Sequence, residues 1–173
     1  LTRLEAVLED PLFKEYLLKN NKNETERKFC RHTFQHYLDV ARITYILILE
    51  SGNITAFMEE NDLNRKLAKE LIYTAAILHD IGRWREYETG EDHSLVGAEL
   101  AEGILERAGF NEKEKSIITS GIREHRRGVP DRSLLGKYLH RADGLSRLCT
   151  RCEARDECFK VEEMETGRKP LIY

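Results

Sequence analysis

Apolar residues recur along most of this chain at spacings of three and four, the period of an α-helix buried on one side. Between Glu24 and Glu50 they are Phe29, Val40, Ile43 and Leu47, with His36 in the same stripe, which predicts one long helix with that face inward. From Asp62 to Ile81 the stripe runs through Leu67, Leu71 or Ile72, Ala75 and His79. Gly82 follows where a helix C-terminus favours a left-handed residue. Further helices are predicted from Ser94 to Ala108, Glu112 to Arg126 and Arg132 to Leu148. In the last two, Ile118, Ile122 and His125 share one face, and Leu135, Leu139 and Asp143 share another. Of the three prolines, Pro11, Pro130 and Pro170, two stand at the edges of periodic segments, as helix punctuation. The fold class is therefore all-α, a helical bundle. After Leu148 the pattern changes to "CTRCEARDEC" and then to an alternation around Gly167, which predicts a short extension, irregular or a β-hairpin. The chain divides on this reading into a helical domain, 1–148, and a cysteine-containing extension, 149–173.

The 173 residues are 40% hydrophobic, enough for a single domain with a real core. With 28 basic and 31 acidic residues the formal net charge is −3, so no overall positive field draws the chain onto DNA, RNA or an anionic membrane. The longest apolar stretch, 43–49, is far too short to span a bilayer, and "LTRLEAVLED" lacks the basic-then-apolar layout of a signal peptide. The expectation is a cytoplasmic chain with no membrane or nucleic-acid partner.

The stripes also carry chemistry, because four of the predicted helices end or interrupt an apolar face with a histidine or aspartate. A buried carboxylate among imidazoles is costly unless a positive charge neutralises it, and a metal ion does so. Imidazole nitrogen with carboxylate oxygen suits Mn, Fe, Zn or Ni, and two adjacent residues at a helix end, His79 and Asp80, can serve neighbouring ions. Taken singly, each histidine has an ordinary alternative as a hydrogen-bonded core residue.

The order His36, His79 with Asp80, and Asp143, with His93 and His125 between, resembles the HD superfamily of metal-dependent phosphohydrolases over about Cys30 to Leu148. "QHYLDVARI" is similar to the family's first ligand helix, "ILHDIG" to its namesake motif and "ADGLSR" to its closing aspartate. "HSLVGAE" and "IREHRRG" place His93 and His125 as in the binuclear branch. The resemblance implies an HD helical bundle in which His36, His79, Asp80, His93, His125 and Asp143 hold two divalent transition ions. Iron or manganese would come first, with zinc, nickel and magnesium compatible. It implies hydrolysis of a small phosphorylated substrate, a nucleotide by preference, by a metal-activated water that Asp80 bridges and orients. Arg83 stands where relatives carry a lysine near the substrate phosphate. Its alternative is a solvated arginine at a helix C-terminus. His32 is expected near the pocket, binding substrate or orienting a ligand. Arg126 and Arg127 would extend a phosphate-binding rim or form a solvated charge run, Arg127 being the substrate-binding candidate. His140 falls off its stripe and is expected to be structural or exposed. A homodimer is compatible with all of this.

Departures from the family narrow the substrate. The branch cleaving cyclic dinucleotides carries a Gly-Tyr-Pro signature, absent here, and the alarmone branch has acidic residues soon after the His-Asp pair, whereas "HDIGRWRE" has none before Glu86. The branch cleaving symmetric dinucleoside tetraphosphates matches the ligand order best, with Arg83 for its lysine. A competing reading from another class is a non-catalytic HD module that binds a nucleotide or a protein partner with structural metal or none.

Cys149, Cys152 and Cys158 follow the last ligand helix, and Cys30 precedes the first. In a chain without secretion signals, reduced thiols or a metal are favoured over disulfides. The Cys-x2-Cys spacing suits a second, thiolate metal site with Cys30 as fourth ligand, which would clip the tail. The alternative is a set of free or redox-active surface thiols.

Overall fold

The computed structural model describes residues 1–126, 128–169 and 173. Nine helices of seven residues or more make up the described bundle: α1 (Thr2–Glu9), α2 (Pro11–Asn23), α3 (Phe34–Glu50), α4 (Ile54–Asn61), α5 (Arg65–Leu78), α6 (Arg83–Thr89), α7 (His93–Arg107), α8 (Glu112–Glu124) and α9 (Leu134–Leu145). Among the described residues there is no strand. The C-terminal extension is two 3-10 turns, Cys149–Arg151 and Arg155–Glu157, and a single helical turn, α10 (Glu165–Arg168). The irregular form of the extension holds and the hairpin does not: the alternating residues around Gly167 wind into α10, which packs on α9 and the first 3-10 turn.

Local signals set most helix starts. Asp10 caps α2, accepting from Leu12 N at 2.8 Å, and Pro11 occupies the first turn, where its missing N–H costs nothing. Asn111 and Glu114 form a reciprocal capping box on α8, and Asp92 caps α7 through Ser94 N at 2.9 Å. α5 is the central helix and packs against α3, α8, α7 and α1, so Ala68, Leu71, Ile72, Ala75 and Leu78 are all fully buried. α3 covers one side of it with Tyr37, Val40, Ala41 and Ile48, and α9 packs on α3 and α8. Arg3 ties α1 to the bundle by bridging Glu70 of α5 at 2.8 Å and Glu114 of α8 at 2.6 Å.

Three expectations about boundaries are corrected. The first ligand helix begins at Phe34, not Glu24, because Thr33 in an extended conformation caps it, its hydroxyl accepting from His36 N. Residues 24–33 turn back instead, which takes Phe29 and His32 off the helical stripe. The second ends at Leu78 with His79 as C-cap, so the His-Asp pair lies in the turn after the helix. Gly82 is not left-handed: its φ is −86°. A Cβ there would come within 2.6 Å of Gly97 N and His93 O, so the glycine serves the close approach of this turn to α7. No helix among the described residues is long and apolar enough to cross a membrane.

Candidate metal centre

Asp80 sits at the middle of the bundle, with no exposed surface. Its two carboxylate oxygens face different ways. Oδ2 lies 3.1 Å from His79 Nε2 and 3.8 Å from His36 Nε2, while Oδ1 lies 3.3 Å from His93 Nε2 and 3.6 Å from His125 Nε2. His36, His79, Asp80 and Asp143 offer one ligand atom each within 4.8 Å of one another, and Asp80, His93 and His125 form a second such group. Two clusters sharing Asp80 are the arrangement of a binuclear metal site. The six residues come from the start of α3, the turn after α5, the start of α7, the end of α8 and the last turns of α9.

The imidazoles are oriented by groups behind them. A helix leaves its last carbonyls without intrahelical partners, and two of the histidines use this. His79 Nδ1 donates to Ala76 O at 2.6 Å and His125 Nδ1 to Ile122 O at 2.6 Å, each three residues back. With Nδ1 carrying the proton, the Nε2 lone pair of each points into the centre. His36 reaches the same tautomer by another route. The Ser146 hydroxyl spends its proton on Asp143 O at 2.7 Å and so accepts from His36 Nδ1 at 3.0 Å. Arg147 Nη2, 3.0 Å from His36 Nε2, fits that lone pair. His93 Nδ1 faces Glu86 Oε2 at 2.7 Å.

A donor set of this kind fits divalent metal, because three of its innermost atoms otherwise lack a hydrogen bond. His79 Nε2 and both Asp80 oxygens are buried without a hydrogen bond. Burial would raise the Asp80 carboxyl, but Arg83 and the surrounding imidazoles hold it well below the usual carboxylate range. Asp143 is likewise held low, chiefly by Arg147 against the opposing effect of burial. Burial lowers His36 and His93 to about 4, which keeps them neutral and able to ligate. His79 is raised instead, the neighbouring Asp80 outweighing its burial.

The remaining expected residues fall around this centre. His32, in the loop before α3, is buried and directs Nε2 at Asp80 Oδ2, 3.5 Å away. Its other ring nitrogen pairs with Glu24, which also accepts from His32 N at 2.6 Å and from Tyr87 Oη at 2.6 Å. These bonds bring Glu24 down to about 2 despite its burial. Arg83 turns inward: Nε is 3.2 Å from Asp80 Oδ1, and Nη1 donates to Glu86 at 2.8 Å. Arg126 bridges Glu86 at 3.3 Å and Asp92 at 2.6 Å, and Arg127 lies outside the described residues. His140 is half-buried and donates to His125 O at 2.6 Å, a supporting role for the turn that carries His125.

Several contributors escaped the sequence reading. Asn20 of α2 is fully buried, donates to Asp80 O at 2.9 Å and accepts from Trp84 N at 2.7 Å, so one amide holds the His-Asp turn. Glu24, Tyr87 and Ser146 act similarly on His32 and His36. Nothing in their local sequence marks them, because each works through a partner distant along the chain. The centre opens into a cavity of about 1330 Å³ whose lining includes Arg27, Arg126, Arg132, Lys137, Arg141 and Lys160. A chain of net charge −3 thus gathers positive charge at one cleft.

The HD domain model matches residues 33–148, the stretch that contributes all six of these residues. The chain belongs to the HD domain family. A relative from Clostridium beijerinckii, an uncharacterized protein, is 40% identical over 158 residues, which is 91% of this chain and 92% of that one. A bifunctional uridylyltransferase/uridylyl-removing enzyme of Bradyrhizobium sp. is 35% identical over 86 residues, 48% of this chain and 9% of its own length. Ribonuclease Y of Oleidesulfovibrio alaskensis is 30% identical over 118 residues, 68% of this chain and 18% of its own. The chain therefore spans only a small part of those two proteins, and no solved structure matches it.

Proposed function

We propose that the chain is a metal-dependent phosphohydrolase of a small phosphorylated metabolite, a nucleotide by preference. The observation that carries this is Asp80, buried, with each oxygen facing its own set of imidazoles and neither oxygen hydrogen-bonded. His36, His79, Asp80 Oδ2 and Asp143 would hold one ion, and Asp80 Oδ1, His93 and His125 the other. Iron or manganese suits this mixed nitrogen and oxygen set. Two divalent ions bound there would polarise phosphoryl oxygens and bring a shared water toward ionisation at neutral pH.

The chain's own residues supply the rest. Arg27, Arg132 and Lys137 line the cleft and would receive phosphate charge, and Arg83 stands beside the carboxylate with a fork suited to a phosphoryl oxygen. His32, propped by Glu24, would bind substrate at the inner end of the cleft. The cleft's volume accommodates a nucleotide. Two of the relatives are named for uridylyl removal and for ribonuclease action, both reactions at phosphorus, which supports this class of chemistry.

Elemental analysis of the protein and of Asp80→Ala, each followed by a screen of nucleotides and phosphomonoesters with Mn or Fe added, tests the proposal. About two metal equivalents, lost in the variant together with turnover of a phosphate ester, are expected. A protein that binds no metal and turns over nothing would instead be the non-catalytic module.

A further inference from the structure

Outside the metal centre, the four cysteines form a second group of potential ligands, drawn from segments far apart in the sequence. Cys30 lies in the loop before α3; Cys149 opens the first 3-10 turn after α9, and Cys152 and Cys158 directly follow the first and second turns. All four line one cavity of about 290 Å³, walled also by Phe29, Leu148 and Val161. Contacts beside Cys30 and Cys158 dock the two segments: Lys28 pairs with Glu157 at 2.5 Å, and Phe29 meets the Phe159 ring edge-on at 6.4 Å. None of the four is in a disulfide. Burial pushes the Cys149 thiol up, and the proximity of Cys30, Cys158 and Cys152 adds to the shift, so four thiolates here need a cation to coexist.

We infer that Cys30, Cys149, Cys152 and Cys158 hold an iron–sulfur cluster, separate from the imidazole and carboxylate centre. The choice of a cluster over a single zinc follows from space. Tetrahedral zinc at about 2.3 Å from each sulfur draws the sulfurs to roughly 3.8 Å of one another. Among the described residues, no three of these sulfurs belong to a group whose ligand atoms all lie within 4.8 Å. The four thiols instead line a shared cavity, which also reaches Thr33, His36 and Asp39 and has room for a core of iron and sulfide beside them. The surroundings match in charge as well. Arg147 and Arg155 line the cavity beside one carboxylate, Asp39, and Arg27 donates to Cys30 O at 2.9 Å, so cationic groups outnumber acidic ones around a core that four thiolates make anionic. On binding, the four thiols release their protons and coordinate iron.

The placement gives such a cluster a structural consequence. Cys30 is two residues before His32, and Cys149 follows Ser146 and Arg147, both of which touch His36. Joining the two segments through metal would fix the loop and the helix end that flank His36.

The test is made on the full chain, purified without oxygen and supplied with ferrous and ferric iron in equal amounts and with sulfide, so that no further oxidant is needed, in the Asp80→Ala background so that iron at the other centre does not contribute. Expected are acid-labile sulfide and iron in equal amounts, about four of each per chain, with broad visible absorption that bleaches on reduction. Both should be lost in Cys30→Ser and in Cys152→Ser, one variant in each segment, while circular dichroism shows the helices intact. Cys152 is exposed, so its replacement leaves the core untouched. One zinc per chain without sulfide, lost in the same variants, would overturn the cluster in favour of a single ion. No thiolate-held metal at all would overturn the site, as would iron and sulfide that persist in both variants.

Discussion

The two groups of potential ligands differ in what holds them. The imidazoles and carboxylates of the HD centre sit on or directly beside helices, and backbone carbonyls or a serine fix three of the rings from behind. The thiols sit in a loop and in or directly after two 3-10 turns, half of them partly buried, and close around a cavity. A helix end fixes a ring to a fraction of an ångström through groups that are buried anyway. The thiols are placed by contacts between two irregular segments, such as Lys28 with Glu157 and the Phe29–Phe159 ring pair. The first group is therefore oriented by hydrogen bonds of the fold itself, and the second by the docking of two irregular segments.

The largest difference between the two groups is expected at Asp80, which only the first contains. Asp80→Ala is expected to remove metal from both halves of the HD centre and to lower turnover by at least about a thousandfold, with helical content unchanged. Measured metal content and initial rates decide it. A variant that keeps both ions would mean that Asp80 does not bridge.

The next effect concerns acid. His36 and His93 are held at about 4 by burial, and His32 is also lowered, whereas an unfolded histidine titrates near 6.5. A folded-state value below the unfolded one means that the unfolded chain binds more protons between them. Their contribution to stability is thus present above about 6.5 and lost as pH falls toward 4. His79, which is raised, opposes them, so the net follows the three. Metal-free protein should lose on the order of a few kcal/mol across that window, read by urea unfolding at several pH values. A flat profile would show that the rings are not held neutral and the centre is not preformed.

Removal of metal should matter less to the fold than acid does. An ion at a hundred times its dissociation constant adds about 2.7 kcal/mol, so a chelator should lower the thermal midpoint of the protein and leave Asp80→Ala where it was. Equal shifts in the two would place the stabilising ion elsewhere, with the thiols as the first alternative. Ser146→Ala tests one support alone. Losing the group behind His36 should weaken metal binding about tenfold to a hundredfold by titration, with little change in stability. The smallest effect is expected at Asp92, which caps α7 just before His93. Asp92→Ala should cost about 1 kcal/mol of stability and leave metal stoichiometry intact.

The all-helical class, five of the helices and the six residues gathered at the centre were legible in the sequence, because helical periodicity and the family's ordered motifs are local properties of the chain. So was the central place of Asp80, since adjacency to His79 already puts it at a junction of potential ligands. What the pattern could not supply is whatever depends on a partner far away in sequence. The stripe from Phe29 to Leu47 looks continuous, yet the helix starts at Phe34, because Glu24 captures His32 and its backbone and turns the segment back. Gly82 looks like a left-handed helix stop, yet it is a glycine for the sake of Gly97 and His93 across the turn. Asn20, some sixty residues from the turn it holds, carries no signal of its own. The positive cleft likewise arises from side chains scattered over α9 and several loops of an acidic chain. Periodicity, charge type and motif order are written along one dimension and survive there. Capping by distant groups, close backbone approach and the meeting of four cysteines exist only once packing has decided which surfaces touch.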